Sequence, residues 1–408
     1  MDLRWWMTVP LLMAAVAGCL DNEDGSAAAT ALEEPPELPS LPETISRFGA
    51  VAITDLEGSG QGIWTHGDTL YMTNGGDLNL ADISDPMDPK QLGAIQDIGA
   101  RDVDVLEWDG RIYAVLAGSS DGLHVVDVTD PMRPTLTGTF PLPSAGVHNL
   151  AAVPGTPYVY ASGASGTGKA IDVVDISDPA NPLIHTFPIP ATMGGIPVES
   201  DGCHDITVRA DLERAYCAGG GGTYTGLGGE TFIWDISEGA GGVTNPTWVA
   251  MIDDPRLKYH HQAFVNLEGT ILIINDEFIA PNCVRVETPL PGAADPQVPF
   301  AAAWIYDVSD ESSPQQMAFI QNPSGIEADE GGQPKVNCGS HFGDIVLGHD
   351  AFVMGWYQGG TVLVDFSDPA NPLLLDIADA AGGSTWDARV HGTYVLHSSN
   401  DLIVTPLE

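Results

Sequence analysis

Residues 175–182 read DISDPANP and residues 365–372 read DFSDPANP, with seven of eight letters shared. The phrase recurs as DISDPMDP from Asp82, DVTDPMRP from Asp127 and DVSDESSP from Asp307, with a degenerate DISEGAGGVTNP from Asp235. Each copy follows a short apolar run (LNLA, LHVV, IDVV, TFIW, AWIY, TVLV) rich in the β-branched and aromatic residues that favour strands. Asp and Ser bond their own backbone, and Pro sets φ for a turn and has no N–H for a sheet ladder. The phrase therefore reads as strand end, turn, new strand. Copies start about 45 to 70 residues apart, the spacing of propeller blades.

One full unit shows the grammar. Residues 102–109, 111–118, 122–128 and 135–140 read as four successive strands, the make-up of a propeller blade. The same grammar opens at Gly62, Asp102, His148, His204, His261, His341 and Trp386, giving seven units. The last stops at Glu408 after its third strand. Residues 47–53 (RFGAVAI) match the fourth strand of the first unit, QLGAIQDI. The expectation is an all-β, seven-bladed β-propeller whose N-terminal strand completes the last blade and leaves no open edge.

The phrase (L/V)-x-(V/I)-x-D-(V/I)-S-D-P-x-x-P resembles the LVIVD-repeat family of bacterial secreted or surface β-propeller lipoproteins, over residues 45–408. The resemblance implies the fold and an envelope location, and little about activity, because a fold does not define a function.

Forty-seven Gly and 31 Pro suit many tight turns. The formal charge is −42 with only 14 Lys and Arg, so no basic patch exists to neutralise phosphates and nucleic acid is excluded as a partner. Anionic lipid surfaces would repel the chain, while the charge favours solubility and weak cation binding. Residues 1–18 read as a signal peptide, basic at Arg4 and then apolar, over a stretch too short to span a bilayer. Val16-Ala17-Gly18-Cys19 resembles a lipobox, so Cys19 is the expected lipidated residue and membrane anchor. Leu20 after it points to the outer membrane, on its periplasmic face or at the cell surface. Residues 19–44 read as an acidic, Ala/Pro-rich disordered tether and 45–408 as the propeller, expected to be a monomer.

Four further cysteines, Cys203, Cys217, Cys283 and Cys338, suggest two disulfides in an exported protein. Sequence proximity favours Cys203–Cys217 and Cys283–Cys338. In a plain hairpin, however, Cys217 lies opposite Ile206 and Cys203 points to the other face, so the first pair requires a bulge. Other pairings stay open.

Aligning the first strands of the units sets Arg101, His148, His204, His261, His341 and Trp386 in one register. The next position is polar in Asp102, Asn149, Asp205, Gln262 and Asp387. First strands line a propeller's channel, so His148, His204, His261 and His341 are expected to ring one mouth with Asp102, Asp205, Trp386 and Asp387 beside them. Neutral imidazoles with neighbouring carboxylates can hold zinc or copper. The competing reading is that the histidines bond neighbouring blades across the tight centre. The repeated Asp82, Asp127, Asp175, Asp235, Asp307 and Asp365 lack calcium-loop spacing and read as turn residues. No HExxH, GxSxG or phosphate loop occurs. Three functions follow: a non-enzymatic binding module for a protein, glycan or small molecule; a zinc- or copper-dependent enzyme; or a structural or adhesive envelope protein. No catalytic residue can be named from the sequence.

Overall fold

A computed structural model describes residues 44–49, 52–53, 60–143, 146–163, 170–200, 202–221, 229–277, 301–321, 339–357, 359–378, 385–399 and 401–408. The expected signal peptide, Cys19, residues 20–43 of the expected tether, Cys283 and Cys338 lie outside them.

Among the described residues seven antiparallel sheets of four or five strands form the blades, beside a small hairpin of Thr192–Met193 and Ile196–Pro197, and six of the seven are ordered as in the sequence. Their innermost strands are Ile63–His66 (blade 1), Val103–Trp108 (blade 2), Asn149–Ala152 (blade 3), Asp205–Arg209 (blade 4), Tyr259–Val265 (blade 5), Ser340–Val346 (blade 6) and Asp387–His391 (blade 7). Consecutive innermost strands touch around a closed circle, with blade 7 meeting blade 1. Blade 7 takes its outermost strand from the N-terminal side. Ala52 pairs with Val404 and Ile53 with Ile403 on Leu402–Pro406, and Phe48 bridges Leu407. Blade 5 gains a fifth short strand, Gly220–Gly221, from blade 4.

The core sits between blades. Seven apolar clusters each join two neighbours. Val159 and Val174 of blade 3 pack with Val115 and Val125 of blade 2, and Leu396 and Val404 of blade 7 pack with Leu70 and Met72 of blade 1. Middle strands are apolar on both faces because both face a neighbouring blade. The fully buried Trp234, Trp304 and Trp356 lie on them. Outermost strands are largely exposed, as in Leu183–Pro188, where Phe187 alone is buried.

The repeated phrase forms the turn its residues dictate. The first carboxylate accepts the amide two residues on: Ser84 N on Asp82, Thr129 N on Asp127, Ser177 N on Asp175, Ser237 N on Asp235, Ser309 N on Asp307 and Ser367 N on Asp365, at 2.7–3.0 Å. The Ser84 amide holds the Asp82 carboxyl below its usual range. These carboxylates are occupied by their own backbone, as local turn chemistry requires.

Candidate functional site

Blades are stitched at the axis by backbone groups and small polar side chains. The carbonyl of Arg101 accepts from Thr73 Oγ1, that of His204 from Ser162 Oγ and that of Gln61 from Ser398 Oγ, at 2.7–2.9 Å; that of His341 accepts from Asn275 Nδ2. Each donor lies at the end of the second strand of the preceding blade, Thr73, Ser162 and Ser398 as its last residue and Asn275 as its last but one. A second set runs forward. Asp102 accepts from Leu150 N, Asp104 from Ala152 N, Gln262 from Gly343 N, Asp344 from Val390 N and Asp387 from Ile63 N. Gly62 stands in this register without a side chain, and a Cβ there would meet Asp102 Oδ1 at 2.8 Å.

The aligned histidines come together. Ring centroids are 4.6 Å apart for His148–His204, 4.4 Å for His204–His261, 3.9 Å for His261–His341 and 4.8 Å for His341–Trp386. His204, His261 and His341 are buried, and His148 is half-buried at the end of the row. Arg101 is exposed and its charge, after burial, helps lower the His148 imidazole to about 4.

Local irregularities aim these side chains. Among the described innermost pairings, two break register, between His260 and Ala263 in blade 5 and between Ser340 and Gly343 in blade 6. Both breaks contain a ring histidine, and bulges of this kind re-aim side chains. In blade 4 the chain bends at His204, ahead of the strand. That bend lets Cys203 reach Cys217 in a disulfide, with Cα atoms 5.4 Å apart, although Ile206 is the residue opposite Cys217. The open question of the Cys203 partner is thereby settled, and the bridge anchors the backbone beside His204.

A carboxylate not read from the sequence completes the group. Glu277 follows the second strand of blade 5, Ile271–Asp276, and is buried. Its Oε2 lies 3.7 Å from His261 Nε2, its Oε1 lies 3.7 Å from His341 Nε2, and Tyr357 donates its hydroxyl to Oε1 at 3.0 Å. Potential ligand atoms of His204, His261 and Glu277 all lie within 4.8 Å of one another. His341 Nδ1 sits 2.6 Å from the Trp386 carbonyl, which can only accept, so Nδ1 carries the hydrogen and Nε2 presents a lone pair towards Glu277. His204 Nδ1 lies 3.3 Å from the His261 carbonyl and 3.4 Å from Asn149 Nδ2. Neither His261 nitrogen has a hydrogen-bond partner among the described residues, and the residue is fully buried. Burial first, then neighbouring imidazoles, hold His204 and His261 well below the usual histidine range, and burial takes His341 down to about 3. Burial pushes the Glu277 carboxyl up to about 8. The site is thus a set of neutral imidazoles, the form that binds zinc or copper, facing a carboxyl group that would have to give up its proton to join them as a ligand.

The predicted carboxylates occupy a different level. Asp102 and Asp205 line a funnel of about 480 Å³ with Trp64, Asp104, Phe342 and Arg389, while the ring histidines do not line it. Phe342 separates the levels, its ring 4.7 Å from those of His261 and His341 and 5.7 Å from the Arg389 guanidinium. Arg389 also lies 5.0 Å over Trp64, and its Nε is 3.0 Å from Asp387 Oδ1. Burial raises Asp102 and Asp104 to about 7 and Asp205 to about 8, partly offset by amide bonds and Arg389. Burial also raises Asp344 and Asp387. Arg389 stays charged because these carboxylates outweigh its own burial.

His260 and His397 lie apart from the group and bond threonine hydroxyls, His260 to Thr231 and His397 to Thr361 and Thr405.

Seven blades of four strands around a polar axis define a β-propeller. The LVIVD repeat model matches residues 57–96, 100–141 and 166–186, so these three segments carry the LVIVD repeat. No curated protein matches it. Among solved structures, it is similar to the RRP9 WD40 repeats (12% identity, 91% of this chain and 100% of that one, TM-score 0.58). It is also similar to U3-55K (12%, 88% and 98%, TM-score 0.58). A third match is Raptor of Chaetomium thermophilum, at 10% identity and TM-score 0.59, covering 89% of this chain and 30% of that one. At such identities the likeness shows the fold alone.

Proposed function

We propose that the chain is a lipid-anchored cell-envelope propeller acting as a binding module, its ligand entering the axis. The observation that carries this reading is the cavity of about 480 Å³, lined by Trp64 and Phe342 together with Asp102, Asp104, Asp205 and Arg389. Recognition sites combine an apolar wall with a few convergent polar groups in this way. Uncharged carboxyl groups and a guanidinium offer donors as well as acceptors, which suits a small polar ligand such as a sugar or amine more than an extended chain.

The anchor rests on the sequence around Cys19, with residues 20–44 as the tether. Mass spectrometry of the membrane-bound chain should show a diacylglyceryl adduct on Cys19 that Cys19→Ser removes.

The binding reading is tested by thermal shift against a panel of sugars, amines and small acids. A hit should stabilise the wild type and lose at least about tenfold in affinity in Trp64→Ala, a change of about 1.4 kcal/mol. Hits that bind Trp64→Ala equally well, or no hit across the panel, would contradict the funnel as the site.

A further inference from the structure

We propose that His204, His261 and Glu277, with His341 as fourth donor, bind one divalent transition-metal ion of the zinc or copper class. This goes beyond binding at the funnel, which needs no metal.

Four independent features converge. The first is a group of buried polar atoms that leave hydrogen bonds unmade. His341 Nε2 and a buried carboxyl group point at one another at 3.7 Å, and His261 stands beside the same carboxyl group with neither nitrogen bonded. Buried polar groups are normally satisfied, and an unpartnered one costs about 1–3 kcal/mol. A cation placed among them serves every lone pair at once. The second is spacing. Ligand atoms on a tetrahedron with bonds of about 2.0–2.1 Å stand about 3.4 Å apart. The observed 3.7 Å contacts, and the 4.8 Å limit within which the atoms of His204, His261 and Glu277 lie, require only small adjustments of these three; His341 is placed by its 3.7 Å contact to Glu277.

The third is orientation. The Trp386 carbonyl fixes the His341 tautomer and Tyr357 fixes the carboxyl group, as outer partners do around metal ligands. The two register breaks fall at His261 and His341, and the disulfide at Cys203 holds the backbone next to His204. The fourth removes the competing explanation for His261. The imidazoles of His204 and His341 do bond carbonyls of the next blade, at His261 and Trp386, as the competing reading expected, but blade 5 is joined to blade 6 by the Gln262 side chain and the His261 imidazole bonds nothing. Nitrogen donors with one carboxylate select zinc, copper or their neighbours over calcium and magnesium, which take oxygen.

The test uses the full chain in detergent, purified without chelator, dialysed against zinc, copper, calcium or magnesium chloride and measured by elemental mass spectrometry. The expected result is near one equivalent of zinc or copper and none of calcium or magnesium at the same level. Affinity should fall at least about 100-fold in Glu277→Gln and His261→Ala, beyond the 10–100-fold typical of outer partners. Asp205→Asn, in the funnel, should bind as the wild type does. Glu277→Gln keeps an acceptor for Tyr357, so it decides the matter if His261→Ala does not fold. Cobalt(II) gives a second readout, as visible absorption of a tetrahedral nitrogen–oxygen site lost in Glu277→Gln. No bound metal, or equal binding by folded Glu277→Gln, or loss in Asp205→Asn alone, would overturn the proposal. Metal binding without any hit at the funnel, or the reverse, separates this site from the functional reading above.

Discussion

The two levels of the axis bury similar numbers of polar groups and treat them differently. In the funnel level, Asp102, Asp104, Asp344 and Asp387 each accept an amide of the next blade, and one guanidinium stands among them. In the histidine level, Nε2 of His341 and Nε2 of His261 each stand 3.7 Å from the Glu277 carboxyl, and neither His261 nitrogen makes a hydrogen bond. In the first level each of these four carboxylates has an amide partner, although Asp387 Oδ1 and Arg389 Nε, 3.0 Å apart, make no hydrogen bond. In the second, on the proposed reading, a cation supplies what the protein does not. Burial alone therefore does not mark a site; the balance of donors and acceptors does.

The largest expected effect comes from breaking the first level. Arg389→Met leaves at least four buried carboxyl groups without their cation. Unfolding by denaturant should show a loss of about 3–5 kcal/mol, the usual cost of stripping one partner from a buried ion pair. The loss should be greater at pH 8 than at pH 5, where more of these groups hold protons. A loss under 1 kcal/mol at both pH values would mean the funnel carboxylates do not depend on Arg389.

Next is the second level. Free zinc at about 100 times its Kd should stabilise the fold by about 2.7 kcal/mol, read as a rise in Tm. Arg389→Met should keep that increment while Glu277→Gln loses it. Equal increments in both variants would erase the distinction between the levels.

The smallest effect concerns Asp205, whose carboxyl rises from 3.8 to about 8 mainly through burial. Between those values the fold holds a proton that the unfolded chain has lost, so this group makes stability fall as pH rises from about 4 to about 8. Asp205→Asn should therefore be more stable than the wild type at pH 8, by about 1 kcal/mol or more, with the difference shrinking towards pH 4. A variant less stable at pH 8 would show that the carboxylate form of Asp205 is itself stabilised in the fold.

Local and repeated features were legible in the sequence. The Asp turns, the blade count and the pairing of residues 47–53 with the last blade depend on near neighbours or on a periodic pattern. So did the row of histidines, because repetition places equivalent residues side by side. What escaped the reading departs from the repeat. Arg389 occupies the register held by Asp104 in blade 2, so its role depends on charges brought from other blades. Glu277 lies just past a strand, beside Asp276, with nothing in its spacing to link it to His261. The split of the histidines and aspartates into two levels follows from strand alternation together with the bulges in blades 5 and 6, and those bulges leave no separate mark in composition. The bend at His204 was likewise invisible, although the cysteines required some such irregularity.

The most direct measurement is anomalous diffraction at the zinc absorption edge from crystals of the protein grown with zinc. The account predicts one strong peak enclosed by His204, His261, His341 and Glu277, at about 2.0–2.1 Å from each bound nitrogen. A peak among Asp102, Asp104 and Asp205 instead, or imidazoles that rotate to bond carbonyls with no peak between them, would contradict it.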